Sequence, residues 1–315
     1  MSQNHPIVAI TGASGAGTTV VKQAFQQIFR RENISAAYVT GECFRRYDRA
    51  EMQALITQKQ EEGRTLSPYG PEVNRFDLLE ELFDSFANTG NGKLRRYISK
   101  EEACGESSTP EGRFSDWEAL PENADLLFYE GLHGGVVANK WTRRKMSASH
   151  NPKVIIERRN NGKNPAKNTG VDVAQHVDLL IGVVPVVNLE WIQKINHDRD
   201  TRGFSTEATS RHIVERMQDY IHFIVPQFSM SDINFQRVPI VDTSNPFIAR
   251  EIPESNECIV VIRFRDPARY DLPRLQELID GAYMSRPNTM VISGSQLKQA
   301  MDVICTPLIQ ELVER

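Results

Sequence analysis

Pro6-Ile7-Val8-Ala9-Ile10-Thr11 runs directly into Gly12-Ala13-Ser14-Gly15-Ala16-Gly17-Thr18-Thr19, and this junction constrains the chain more than any other stretch. The apolar, β-branched run reads as a buried strand. Beyond the glycines, Val21, Phe25, Ile28 and Phe29 recur at helical spacing as far as Arg31. Strand, glycine-rich turn and helix together are what a phosphate-binding loop requires. Glycines let the backbone approach a ligand closely, N–H groups converge on phosphate oxygens, and the helix N-terminus adds partial positive charge. Thr18 stands where the pattern G-x-x-x-x-G-K-[ST] has lysine, and Thr19 keeps the hydroxyl that would meet Mg²⁺. Read alone, the loop could also be a turn that merely joins strand to helix.

The rest of the chain fits the same class. Ala36–Thr40, Asp125–Tyr129 and Asp178–Pro185 read as further strands, the last two nearly continuous apolar runs of the kind buried on both faces of a parallel sheet. Helices are expected at about 50–62, 73–88, 188–201, 206–224, 273–281 and 295–314, with strands at 238–241, 258–264 and 290–292. This alternation implies an α/β fold with a mostly parallel sheet flanked by helices, whose ligands sit at the carboxyl ends of the strands. Residues 1–315 form one domain in this reading, with loops and short strands over 89–120. A basic, Asn- and Ser-rich stretch at 139–170 reads as a surface insertion.

Composition narrows the function classes. A formal net charge of −4 gives no general argument for nucleic acid, and no apolar run is long enough to span a membrane. Scattered Cys43, Cys104, Cys258 and Cys305, with no signal peptide at the N-terminus, fit reduced thiols in the cytoplasm. Acid and base residues gather where strands should end. Glu130 ends one apolar strand and is placed to face Mg²⁺; Glu42 follows another and is the candidate base for an attacking hydroxyl. Arg45, Arg46 and Arg49 follow Glu42, and Arg216 lies on a later helix. Lys194, Asp198 and Arg202 fall on one helical stripe, a spacing that suits either a phosphate clamp or i,i+4 salt pairing.

Together these stretches resemble the bacterial phosphoribulokinases, the shorter class of that enzyme. The resemblance is carried by Gly12–Thr19, by Phe128-Tyr129-Glu130-Gly131-Leu132-His133-Gly134, by the run Gly182–Lys194, by Pro226-Gln227-Phe228-Ser229 and by Asn234–Pro239 running into Val241–Phe247. In that family threonine in the lysine position of the loop is normal. The resemblance implies a P-loop, nucleoside-monophosphate-kinase-like fold. The implied reaction is ATP- and Mg²⁺-dependent phosphorylation of ribulose 5-phosphate to ribulose 1,5-bisphosphate, a Calvin cycle step. It implies a sugar-phosphate substrate and a homo-oligomer, with an octamer as one form. By position, the ATP site is Gly12, Ala13, Ser14, Gly15, Ala16, Gly17, Thr18 and Thr19. The metal side is Thr19, Glu130 and Asp198, and the catalytic set is Glu42, Lys194 and Asp198. Substrate contacts fall to Arg45, Arg49, Tyr97, His197, Arg202 and Arg216. Arg31, Arg263 and Arg286 match arginines of an allosteric site that answers to NADH.

Five positions depart from the family pattern, all around one cleft. Gly-Asp-x-Phe-His-Arg becomes Gly41-Glu42-Cys43-Phe44-Arg45-Arg46, so the base is a glutamate and the histidine an arginine. His197 replaces an arginine and so loses a permanent charge and a planar donor fork. Glu215 replaces one of two adjacent arginines, and Ser99 replaces a histidine after Tyr97. Two other readings therefore stay open: a uridine-kinase-like enzyme with another acceptor, and a nucleotide- or effector-binding protein of this fold with weak or lost activity.

Overall fold

The computed structural model describes residues 5–12, 18–98, 109–139, 170–249 and 251–315, without the side chains of Thr18, Thr19, Asn139, Thr201 and Arg202. Its centre is an eight-stranded sheet made of β1 (Ile7–Gly12), β2 (Ala36–Thr40), β5 (Leu126–Gly131), β8 (Leu179–Pro185), β9 (Ile233–Pro239), β10 (Cys258–Phe264), β11 (Tyr283–Arg286) and β12 (Thr289–Ser293). The intervening β3 (Lys93–Leu94) pairs with β4 (Glu118–Ala119), and β6 (Val137–Asn139) with β7 (Gly170–Asp172), outside the main sheet. The strand order is β11-β12-β10-β9-β8-β1-β5-β2. The pairs β2–β5, β5–β1, β1–β8 and β8–β9 are parallel; the three beyond β9 are antiparallel.

Alternation along each strand sends side chains to two cores. Val8, Ile10, Phe128, Ile181 and Val183 pack with Phe25, Ile28 and Phe29 of helix Thr18–Arg31, and with Ile304, Cys305 and Ile309 of helix Leu297–Val313. Phe25 and Phe29 lie 4.9 and 5.3 Å from Phe128 by ring centroid. Each such pair adds about 0.5–1.5 kcal/mol beyond the area it buries. On the other face Ile7, Ala9, Val39, Tyr129 and Leu180 meet Phe76, Leu79, Phe83 and Phe86 of helix Phe76–Thr89. β8 is buried at every position, as its unbroken apolar run requires.

The antiparallel end revises the sequence reading. The strand expected at 238–241 is Ile233–Pro239, because Ile233 and Phe235 supply the inward pair and Ile240 and Val241 are exposed. The helix expected at 273–281 stops at Leu278, and β11 then forms a hairpin with β12 across Pro287-Asn288. The helix expected over 206–224 ends at Asp219 and continues as a π-helical turn, Tyr220–Ile224, before the short helix Val225–Met230. The expected surface insertion lies mostly outside the described residues. Its flanks do not: Asn139 pairs with Gly170, so the segment leaves and re-enters at one point.

Candidate active site

The carboxyl ends of four parallel strands carry the predicted site residues. β1 ends at Gly12, the first glycine of the predicted phosphate loop. A Cβ on Gly12 would lie 2.6 Å from the Val183 carbonyl oxygen, so the loop can leave the sheet here only from a glycine. Ala13, Ser14, Gly15, Ala16 and Gly17 lie outside the described residues, and the helix that follows begins at Thr18 and Thr19.

β2 ends in a 3₁₀ turn, Gly41–Phe44, anchored by buried Cys43 and Phe44. Anchored there, the turn leaves Glu42 and Arg45 in solvent, where Arg45 Nη2 meets Glu42 Oε1 at 2.6 Å. The Arg45 guanidinium also sits 5.0 Å from the centre of the Tyr97 ring. Arg49, the first residue of helix Arg49–Glu61, pairs with Glu111, and hydrogen bonds to Glu111 and Tyr97 raise its pKa. Asp48 caps that helix with Glu51 in a reciprocal capping box, which fixes where Arg49 projects. Glu42, Arg45, Arg49 and Tyr97 therefore form one group. Ser99 lies outside the described residues.

Glu130, on β5, is half-buried and opposite Thr40 of β2 in register. Burial pushes its carboxyl pKa up, Lys22 pulls it down, and no hydrogen bond holds its oxygens among the described residues. The strand ends touch through glycine: a Cβ on Gly131 would lie 2.9 Å from the Gly41 Cα. Only glycines at both positions let the loops bearing Glu42 and Glu130 approach this closely.

β8 leads into helix Val187–Arg202. Asp198 is 1 % exposed and accepts from Lys194 Nζ at 2.7 Å, while Nδ1 of the exposed His197 is 3.4 Å away. Arg202 closes the helix, its side chain undescribed. Arg216 is half-buried near Tyr69 and His212; burial lowers the His212 pKa and the Arg216 charge lowers it further, while at Tyr69 the same charge only opposes a rise caused by burial. The exposed Glu215 accepts from the Thr65 hydroxyl.

The predicted effector arginines do not converge. Arg263 on β10 and Arg286 on β11 flank Thr289 of β12 in register. The Arg263 guanidinium donates to the Phe228 carbonyl at 2.6 Å. Arg31 lies over the opposite face of the sheet, held by Glu32, both oxygens of Asp302, and Thr306.

Several polar residues had no assigned role in the sequence reading. Glu190, one turn before Lys194, is half-buried, which raises its pKa, and accepts from the Tyr220 hydroxyl at 2.9 Å. Tyr69 stacks edge-on against Tyr220 at 5.3 Å, and its pKa is pushed up to about 12 by burial. His133 contacts the Tyr69 carbonyl at 3.0 Å, and burial lowers its pKa to about 4. Apart from spacing Glu190, Lys194 and Asp198 four residues apart, no local pattern signals these groups.

A glycine loop leaving the central strand, a carboxylate at the end of the next strand and basic residues beyond the others define the phosphate-loop kinase class. The model of the phosphoribulokinase/uridine kinase family matches residues 7–158 and 162–244. A phosphoribulokinase of Nitrobacter vulgaris is 48% identical over 316 residues, covering 100% of this chain and 99% of the relative. A probable phosphoribulokinase of Escherichia coli is 46% identical over 315 residues, covering 100% and 98%. The solved phosphoribulokinase from Rhodobacter spheroides superposes with a TM-score of 0.82 at 44% identity, covering 99% of both chains. This chain belongs to the phosphoribulokinase/uridine kinase family and, within it, to the bacterial phosphoribulokinases.

Proposed function

We propose that this chain transfers the γ-phosphoryl group of ATP to ribulose 5-phosphate, giving ribulose 1,5-bisphosphate. The observation that carries the reading is the shared edge: β1, β2, β5 and β8 deliver the phosphate loop, Glu42, Glu130 and the Lys194–Asp198 helix to the carboxyl side of one parallel sheet. Glu42 takes the proton of the attacking hydroxyl once it parts from Arg45. Arg45, Arg49, Tyr97, His197, Arg202 and Arg216 hold the sugar phosphate, a doubly charged acceptor that suits arginine far better than a neutral nucleoside would. Lys194 compensates charge on the transferring group.

Mg²⁺ fits the residues present. It keeps most of its waters and phosphate oxygens and needs only one or two carboxylates. Glu130 is half-buried with no hydrogen bond to its oxygens among the described residues, a state a cation would relieve. Glu130, Asp198 and the Thr19 hydroxyl would hold the ion, which when bound neutralises charge on the phosphates.

Regulation by NADH would act through Arg31, Arg263 and Arg286. Arg31 sits over the opposite sheet face from the Arg263 guanidinium, so a site using all three is completed by a second copy, in keeping with a homo-oligomer. Scattered cysteines that form no disulfide among the described residues favour a cytoplasmic enzyme. Among the described residues no helix is long and apolar enough to cross a membrane.

Coupled ADP release measured with ribulose 5-phosphate, with uridine and without acceptor tests the function. Acceptor-dependent release with ribulose 5-phosphate alone is expected. Release with uridine moves the chain to a nucleoside acceptor. ATP binding with no release by any route makes it a binding protein.

A further inference from the structure

Gln227 is fully buried on the short helix Val225–Met230, and every hydrogen-bonding position of its amide is used. Its Oε1 accepts from the Gly135 N–H at 2.8 Å and faces the Thr11 hydroxyl at 2.9 Å. Its Nε2 donates to the carbonyls of Leu132 at 2.8 Å and Phe223 at 2.6 Å. The partners fix the amide's orientation. Turned over, it would set its N–H₂ against the Gly135 N–H and its oxygen against two carbonyls. The Thr11 hydroxyl also lies 3.1 Å from the Leu132 carbonyl, so one proton serves two acceptors.

These four partners belong to three separate parts of the site. Thr11 immediately precedes Gly12, where the predicted phosphate loop leaves β1. Leu132 and Gly135 lie in the loop that follows Glu130. Phe223 belongs to the π-helical turn that continues the helix carrying Arg216. None of the three elements is bonded to the others by a regular ladder at this point, apart from the pairing of β1 with β5 that ends at Thr11 and Gly131.

We propose that Gln227 is a positioning residue for phosphoryl transfer. Its amide sets the distance between the phosphate-loop entry, the Glu130 loop and the Arg216 helix. It touches neither substrate; it acts through Thr11 and the 132–135 loop. The chemistry suits glutamine: a leucine would orphan the Gly135 N–H and take a donor from the Leu132 and Phe223 carbonyls, and a glutamate would aim a carboxylate at those carbonyls. The proposal rests on the phosphate loop being the nucleotide site.

The test uses the full chain and two conservative probes at Thr11, because Gln227→Leu leaves buried groups unpaired and can fail to fold. Thr11→Val removes the hydroxyl and leaves Gln227 bonded to Gly135, Leu132 and Phe223. Its expected effect is a fall in kcat on the order of tenfold, with KM for both substrates within about twofold, since a small displacement costs rate before it costs binding. Thr11→Ser keeps the hydroxyl and should restore kcat. Gln227→Glu should show the same kcat loss and recover in part as pH falls, when a protonated carboxyl can again donate. Wild-type kcat in folded Thr11→Val and Gln227→Glu overturns the proposal. So does a Thr11→Val defect confined to KM, or one that Thr11→Ser does not repair. Gly17→Val separates the two levels: unchanged ATP affinity there refutes the nucleotide site itself, whatever the Thr11 series gives.

Discussion

Glu42 carries the sharpest prediction, because two effects on its competence as a base can be weighed separately. The first is its ion pair. Glu42 must leave Arg45, 2.6 Å away, before it can accept a proton. Both side chains are substantially exposed, 51% for Glu42 and 41% for Arg45. An exposed pair contributes about 0.2–1 kcal/mol, so parting it costs at most about fivefold in rate. The second effect is reach. One methylene more than aspartate moves the carboxylate by roughly 1.5 Å, and a misplacement of about 1 Å can cost on the order of a hundredfold. Reach therefore dominates. Glu42→Asp should raise the rate by about tenfold to a hundredfold, and more in combination with Arg45→His and His197→Arg. Arg45→His alone should change it by no more than about fivefold. Glu42→Gln should abolish turnover with ATP affinity intact. The assay is coupled ADP release with saturating ribulose 5-phosphate, beside calorimetric ATP titration. Full activity in Glu42→Gln refutes the base assignment. A gain from Arg45→His larger than that from Glu42→Asp refutes the reach argument and makes the ion pair the obstacle.

Three further outcomes are expected. Gly12→Ala should weaken ATP at least about tenfold by titration, because its Cβ would meet the Val183 carbonyl oxygen at 2.6 Å and the loop must shift. Replacing residues 140–169 with a two-residue Asn-Gly turn should leave Tm within a few degrees, since Asn139 and Gly170 are already paired; a large fall would show that the segment is packed into the fold. His133 is held neutral, its pKa lowered from 6.5 to about 4, so the unfolded chain takes up the proton first as pH falls. Its share of stability, about 3 kcal/mol, is present above about pH 6.5 and lost toward pH 4. His133→Gln, which keeps a donor for the Tyr69 carbonyl, should flatten that part of the denaturation profile.

The parallel half of the sheet was legible because burial on both faces leaves no room for polar residues, and β1, β5 and β8 read as unbroken apolar runs. Helix Phe76–Thr89 was legible for the complementary reason, a single apolar stripe of Phe76, Leu79, Leu82, Phe83 and Phe86. The antiparallel end was harder. β9 alternates Ile-Asn-Phe-Gln-Arg, so only two of its first five residues are apolar, and β11 spans four residues, too few for a period to declare itself. The positions of Glu42, Glu130, Lys194 and Asp198 in the fold could be read because each sits on or beside a strand or helix that announces itself. Gln227 could be quoted within a motif but not given a role. Its hydrogen bonds to Thr11, Leu132 and Gly135 span 216, 95 and 92 residues, and nothing in the neighbouring sequence encodes them.

The place of β1 has a consequence for synthesis. This strand is made well before either of its neighbours, residues 126–131 on one side and 179–185 on the other. At about 5–20 residues per second, its second partner emerges roughly ten to thirty-five seconds later. Until residues 126–131 emerge, Ile7, Val8, Ala9 and Ile10, fully enclosed in the finished molecule, have no native neighbour, and one edge of the strand stays open until residues 179–185 follow. An apolar strand edge left open for that long can pair with other chains, and a holding chaperone bound to this strand would shield it until β8 is made.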